Sequence, residues 1–307
     1  MRNRSVSIDG LLLLNKPAGL TSNQALQKVK RLLNAGKAGH TGSLDPAATG
    51  MLPLCFGEAT KVCAYLLDAD KTYRVTARLG IGTDTGDGDG EEVAHAEVPN
   101  LSPEKWAAVL QEFAGDSMQV PPMYSALKQN GQRLYEIARK GQIVERQPRP
   151  VRIDAIQLLE IAGTRLMFRV RCSKGTYVRV LVEDIAAAVG TVAYTARLHR
   201  EAVADFRGED MYELSALEAL VAEDGAKQLR GRLIAPDAAL ADLPAVTLAG
   251  ADSERFSGGQ ALPGAAAEAT GLVRVYAESR RFLGVGEASA DGQLAPRRVF
   301  RMGEETP

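Results

Sequence analysis

Residues 39–50 read Gly-His-Thr-Gly-Ser-Leu-Asp-Pro-Ala-Ala-Thr-Gly, three glycines and a proline around one histidine and one aspartate. Glycine reaches backbone conformations that other residues avoid and lets a second backbone or a ligand come close, and proline fixes its own φ. Such a stretch pins the backbone around those two side chains. It predicts a shaped loop in which His40 and Asp45 point in defined directions. A carboxylate held in this way serves as a nucleophile, as a base, or as a turn residue ahead of Pro46, and the residue types leave all three readings open. His40, Ser43 and Asp45 do not make a hydrolase triad, whose members come from separated segments, and no G-x-S-x-G is present.

The surrounding sequence alternates strand-like and helix-like patterns. Residues 10–14 form a short apolar run closed by the turn Lys16-Pro17-Ala18-Gly19. Thr21 and Ser22 offer caps to a helix whose apolar positions Ala25, Leu26, Val29, Leu32 and Leu33 recur at helical spacing. Residues 34–45 read as loop, 52–56 as a strand, 59–67 as a helix, and 73–79 as a half-buried strand. Residues 84–90 (DTGDGDG) read as a flexible, solvated acidic loop. Ser102 and Pro103 open a helix with Trp106, Val109, Leu110 and Phe113 on its apolar side. Residues 165–172 and 176–182 read as strands, followed by an Ala-rich helix over about 183–189. From about 242, Gly and Pro punctuate short β-like runs, which predicts a small all-β module after a large mixed α/β domain.

Composition excludes several classes. Of 307 residues, 45% are hydrophobic and 24% charged, which argues against disorder, collagen-like repeats and coiled coil. No uncharged apolar stretch approaches the ~18 residues of a membrane span, and the Leu11–Leu14 run is too short for a signal peptide. A cytoplasmic protein is expected. Cys55, Cys63 and Cys172 form an odd set without CxxC spacing, and His40, His95 and His199 show no paired-ligand spacing. Neither a disulfide framework nor a metal site is predicted.

The net charge of −1 conceals a segregation. Residues 1–40 carry seven Lys/Arg against one acid, a net of +6; residues 81–120 carry one Lys against nine acids, a net of −8; residues 121–180 carry twelve Lys/Arg against four acids, a net of +8. The two basic blocks form a phosphate-facing surface if folding unites them, or are neutralised by acids brought beside them. Aromatic and basic residues interleave in the segment from Tyr124 through Lys128, Arg133, Tyr135, Arg139 and Lys140, as on nucleic-acid surfaces. On a strand, Tyr177 and Arg179 would face the same side, where the arginine can fork onto a carboxylate from elsewhere. Two decoys fail. A single Asp84-Thr85-Gly86 lacks the second carboxylate of an aspartic protease, and the loop around Asp87 and Asp89 misses the EF-hand register.

Taken in order, NKPAGLTS (15–22), GHTGSLDPAATG (39–50), GEATK (57–61), KTYR (71–74), PPMYSALK (121–128), CSKGTYVR (172–179) and APRRV (295–299) resemble the TruB family of tRNA pseudouridine synthases over most of the chain. The tail is similar, less sharply, to a PUA-type RNA-binding β module. Asn15 stands where the family often has Asp.

The resemblance implies an α+β fold: a mixed α/β catalytic domain around a central antiparallel sheet over 1–241, with an RNA-binding insertion at about 121–150 and a PUA-like module over 242–307. It implies isomerisation of uridine 55 in the T stem-loop of tRNA, by breaking C1′–N1, turning the flipped uracil and rejoining C1′ to C5, without metal or cofactor. Asp45 matches the family's nucleophile, Tyr73 the tyrosine that stacks on the target base and is implicated in proton removal, and Arg179 the arginine paired with the aspartate. His40, Tyr177 and Leu198 match residues lining the RNA or uridine site. The neighbouring guanidinium predicts a lowered pKa for Asp45. The C-terminal module is expected to meet the acceptor side of tRNA, and a monomer suffices. Competing readings are a noncatalytic tRNA-binding or RNA-folding protein on the same scaffold, and a hydrolase using Asp45 or the DTG loop.

Overall fold

The computed structural model describes residues 8–129 and 131–302. Arg2 and Arg4 of the basic N-terminal block, Asn130 of the insertion and residues 303–307 of the tail lie outside the described residues. The chain begins with β1 (Gly10–Lys16), α1 (Ser22–Leu33), β2 (Ala38–His40) and β3 (Thr49–Phe56). A 3-10 turn (Gly57–Val62) runs into α2 (Cys63–Asp68), followed by β4 (Lys71–Leu79). The short strands β5 (Ile81–Thr83) and β6 (Glu92–His95) bracket the acidic loop, and α3 (Pro103–Gln111) and β7 (Gly115–Gln119) follow. The insertion holds β8 (Lys128–Gln129), β9 (Gln132–Arg133) and α4 (Leu134–Ala138). Next come β10 (Arg149–Ala162), β11 (Arg165–Cys172), α5 (Val178–Ala188), β12 (Ala193–Val203), β13 (Tyr212–Glu213), α6 (Leu214–Asp224) and α7 (Ala226–Arg230). The C-terminal part comprises β14 (Ala245–Leu248), α8 (Gly250–Ser257), β15 (Gly271–Ala277), β16 (Phe282–Ala288) and β17 (Leu294–Val299).

The main sheet runs β13-β1-β3-β12-β4-β11-β10-β7, with β2 also on β3. It is antiparallel except where β1 meets β13 and β3 meets β12. This is the α+β architecture expected from the sequence, with two parallel contacts in the sheet. Helix α1 starts as its capping residues dictate: Thr21 and Gln24 form a reciprocal capping box, and Asn34 ends the helix at φ 55°. Its Ala25, Leu26, Val29 and Leu33 pack on Leu12, Leu14, Leu52 and Leu54 of β1 and β3. A second core lies at the other end of the sheet, where Trp106 and Leu110 of α3 and Leu181 and Ile185 of α5 cover Val75, Leu166, Phe168 and Val170.

Three local expectations change. Residues 34–45 are not all loop, because β2 pairs with β3 and carries His40. Residues 176–182 are not a strand, and α5 begins at Val178. Alternating valines at 178, 180 and 182 suggest period two, but Val178, Leu181, Val182, Ile185 and Ala186 are buried at helical spacing, and that pattern prevails. The C-terminal module is not all-β, since α8 buries Phe256 against Val273, Val275, Leu283 and Leu294. The module also docks: Phe282, Val285 and Phe300 pack with Leu11, Cys55, Ala59, Val62 and Leu66. Lys61 Nζ donates to the Val299 carbonyl at 2.7 Å across the same contact.

Candidate active site

The loop bearing Asp45 is held from several sides. Lys16, fully buried at the end of β1, donates from Nζ to the carbonyls of Pro17 (2.8 Å), Leu20 (2.7 Å) and Pro46 (3.1 Å). Gly19, at φ +83°, gives its N–H to Pro46 as well, at 2.9 Å. The Lys16–Gly19 turn is therefore a bracket for the residue after Asp45. On the other flank, Ser22 Oγ accepts the Leu44 N–H at 2.8 Å and donates to the Leu44 carbonyl at 3.2 Å. Arg200 of β12 donates from Nε to the Met51 carbonyl (2.6 Å) and from Nη2 to the Gly42 carbonyl (3.0 Å), tying both stems of the loop. Gly50, at φ +100°, lies against the Arg200 backbone so closely that a Cβ there would collide with it.

Arg179, on the first turn of α5, reaches the loop. Its Nε lies 3.1 Å from Asp45 Oδ2, and the two side chains are 6% and 45% exposed, so the carboxylate is approachable while the guanidinium is enclosed. Nη1 lies 3.4 Å from Asp87 Oδ2 and donates to the Thr85 carbonyl at 2.7 Å; Nη2 donates to the Tyr124 carbonyl at 2.7 Å. The acidic loop is thus no solvated ornament. Asp87 accepts from Thr85 Oγ1, Thr83 Oγ1 donates to the Asp87 carbonyl, and both contacts brace the loop against the arginine. The expectation that Tyr177 and Arg179 share a strand face is replaced: Tyr177 is the N-cap of α5. Its backbone is gripped by the buried Gln119 side chain, which accepts the Tyr177 N–H at 2.7 Å and donates to its carbonyl at 3.1 Å.

Asp45, Tyr73, Tyr177, Arg179 and Leu198 line one cleft of about 310 Å³, together with Lys71, Ser125 and Arg200. Five separate segments of the chain thus meet. His40 is not among the lining residues; it stands on β2, half-buried, with Nδ1 buried and without a hydrogen-bond partner among the described residues. Arg200, Lys71, Gln119 and Asp87 were missed by sequence reasoning. Two of them left a trace, Lys71 at the head of the KTYR motif and Asp87 in the acidic loop.

Electrostatically the site differs from expectation at its centre. The pKa of Asp45 is raised, not lowered. Burial in the cleft is the largest cause, and Asp87 and Asp89 add to it; Arg179 and Lys16 oppose without prevailing. Lys16 and Lys71 are both pushed down to about 8, chiefly by burial. Burial also raises Tyr73 while the Arg200 guanidinium draws it back, and burial lowers His40.

The basic blocks divide by structure. On the sheet face away from the cleft, Arg74 and Arg169 share Glu201, Arg165 meets Glu160, and Arg171 meets Asp70. In contrast, Lys128, Arg133, Arg139, Lys140, Arg146 and Arg149 have no carboxylate within 4.0 Å among the described residues. The free positive charge of 121–180 is therefore concentrated on the insertion and its stem, and Arg133 and Arg139 flank the Tyr135 ring.

Comparison with known proteins follows the same outline. Residues 30–178 match the family described as TruB family pseudouridylate synthase (N terminal domain), and residues 244–300 match Pseudouridine synthase II TruB, C-terminal. The chain is 50% identical over 299 residues to tRNA pseudouridine synthase B of Dechloromonas aromatica (strain RCB), covering 97% of each. It is 49% identical over 295 residues to tRNA pseudouridine synthase B of Pseudomonas putida (strain F1), covering 96% of each. Among solved structures it is similar to one in a crystal structure of a Cbf5-Nop10-Gar1 complex (28% identity, TM-score 0.74, 95% of this chain and 85% of that one). A chain in the structure of an H/ACA RNP bound to a substrate RNA containing 2′-deoxyuridine is also similar (25% identity, TM-score 0.73, 97% and 87%).

Proposed function

The chain belongs to the TruB family of pseudouridylate synthases, and from that premise we propose that it isomerises uridine 55 in the T stem-loop of tRNA. It is an isomerase that converts uridine to pseudouridine in tRNA; the loop position, the residue roles and the absence of a cofactor are the proposed detail. Asp45 is the nucleophile, Arg179 orients its carboxylate, and Tyr73 stacks on the flipped base and takes part in removing the C5 proton. Tyr177 and Leu198 line the uracil pocket, and His40 fills the space that the flipped nucleotide leaves.

The observation that carries this reading is the 3.1 Å contact between Arg179 Nε and Asp45 Oδ2 in a cleft also lined by Tyr73. The guanidinium holds one carboxylate oxygen and leaves the other exposed to substrate. The raised pKa of Asp45 supports a carboxylate poorly solvated in its ground state, which is a more reactive nucleophile than a hydrated one. Reaching it requires a base out of its stack, at a cost of a few kcal/mol. The uncommitted cations of the insertion supply phosphate contacts. We assign residues 242–307 to a module that meets the acceptor side of tRNA, and the protein to the cytoplasm as a monomer. No helix among the described residues is long and apolar enough to cross a membrane.

Release of tritium from tRNA labelled at uracil C5 tests the proposal. Wild type releases it, and Asp45→Ala binds the tRNA without release. Binding without release by both proteins supports the noncatalytic reading instead, and a cleaved product supports the hydrolase. His40→Ala is expected to impair flipping and turnover; unchanged turnover removes His40 from the assignment.

A further inference from the structure

Arg200 is 1% exposed, yet it lines the cleft and pairs across strands with Tyr73. Its guanidinium donates to two main-chain carbonyls, and among the described residues no carboxylate lies within 4.0 Å of it. Lys16 and Lys71, 0% and 7% exposed, are likewise satisfied by main-chain carbonyls. Carbonyl dipoles solvate a cation but do not neutralise it. The acid at the centre of this group, Asp45, is paired to Arg179, which also meets Asp87. Two acids thus share Arg179, and Asp45 also faces Lys16. Arg200 and Lys71, which line the cleft, in contrast hold buried positive charge with no carboxylate within 4.0 Å among the described residues, an arrangement that is costly unless an anion joins it.

Resting on the reading of this cleft as the site of uridine isomerisation, we propose that Arg200 stabilises the negative charge on the pyrimidine as it parts from C1′. When C1′–N1 breaks, its electron pair stays on the ring, shared by N1 and the exocyclic oxygens, while an Asp45 oxygen bonds C1′. The ring anion then attacks C1′ through C5 and the Asp45 carboxylate leaves. C5 gives up its proton and N1 gains one, so the atoms of uridine are conserved. The electron-rich ring exists only between the two bond changes. A fixed cation at the cleft floor strengthens its hold at that moment and therefore accelerates the chemistry rather than tightening binding. The depth of Arg200, beside Tyr73, favours the base over a backbone phosphate as the anion it meets.

A leaving-group comparison tests this. Single-turnover loss of the target nucleoside is measured on two T-arm RNAs, one with uridine and one with 5-fluorouridine at the target, for wild type, Arg200→Gln and Arg200→Lys. Fluorine withdraws charge and stabilises the ring anion by itself. On uridine RNA, Arg200→Gln is expected to slow the reaction by about 100-fold, the usual scale for one lost charge-stabilising donor, with RNA affinity unchanged. On 5-fluorouridine RNA the deficit shrinks to about 10-fold or less, because less help is needed. Arg200→Lys keeps the charge without the fork, so its deficit is smaller and narrows in the same way; it carries the test if Arg200→Gln fails to fold in a thermal melt. An equal deficit on both RNAs reduces Arg200 to a clamp on the loop and overturns the proposal. So does a loss confined to affinity with a shallower salt slope, which marks a phosphate contact. Asp45→Asn serves as the separate control: turnover by that variant defeats the nucleophile assignment whatever Arg200 does.

Discussion

Asp45 sets the pH behaviour of the site. Its pKa lies above the ordinary 3.8, and the nucleophilic role proposed for it needs the ionised form, so activity is expected to fall as pH drops through that raised value. Asp87 is one of the charges that raises it, so Asp87→Asn shifts the acid limb of the single-turnover rate to lower pH. An unmoved limb excludes the coupling. Stability follows the same linkage. The folded chain keeps the Asp45 proton to higher pH than the unfolded chain does, so folding loses stability as pH climbs from 3.8 through the raised pKa. Asp45→Asn is therefore expected to melt at a higher temperature than wild type at pH 7, with the gap closing below pH 3.8, as calorimetry across pH reads directly. Arg179 serves Asp45, Asp87, Thr85 and Tyr124 with one planar fork. Arg179→Lys keeps the charge but not the fork, and the catalytic rate should drop by about 100-fold or more while tRNA affinity holds.

At the scale of elements, two contacts decide whether the parts of the site stay in register. Gly50 allows β3 to run against β12, and Gly50→Ala meets both a left-handed backbone and the Arg200 main chain. A loss of about 3 kcal/mol or more is expected from urea unfolding. Gly131, at φ +83° with nothing within 4 Å of a Cβ, is the control, and Gly131→Ala should cost about 1 kcal/mol. The second contact is Gln119 of β7 on the Tyr177 backbone. Removing it leaves a partly buried N–H unmatched, so Gln119→Ala is expected to cost about 1–2 kcal/mol in the same assay. Much of this scale was legible in the sequence. Thr21 and Ser22 marked the start of α1, Ser102 and Pro103 that of α3, alternation marked β4, and residues 165–172 read as the strand that β11 is. The α5 start was misread because the valines of 178–182 favour strand locally, and only burial against Phe168 and Val170 makes the helical face pay off. Nothing local could announce β2, three residues that exist because β3 offers them an edge.

Across the whole molecule, charge and docking give separate predictions. Lys128, Arg133, Arg139 and Lys140 have no acid partners among the described residues, so replacing all four by Gln should reduce the salt slope of T-arm binding by about 3. Neutralising Arg165 and Arg171, which already meet Glu160 and Asp70, should leave it nearly unchanged. The C-terminal module is anchored rather than tethered. Ending the chain at 241 uncovers Leu11, Cys55, Val62 and Leu66, so the truncated protein should aggregate or melt lower as well as bind tRNA less well, as light scattering and a melt would separate.

The turn of residues 41–48 was settled by composition alone, because glycine and proline act through the backbone of their own residues and need no distant neighbour. The ends of the 39–50 stretch were not, since Gly39 and His40 pair in β2 and Thr49 and Gly50 lie in β3. Asp45, Tyr73 and Arg179 were singled out by the resemblance of their motifs to a family, and the fold brings the three to one cleft. Their energetics were not legible in the sequence. Whether Asp45 sits high or low in pKa depends on how much water the walls of the cleft exclude and on Asp87 arriving from another segment. The same holds for Arg200, an ordinary residue in the sequence that becomes a buried cation only when β12 lies between β3 and β4. Solvent exclusion and charge proximity are sums over the whole fold, and only the tertiary structure performs them.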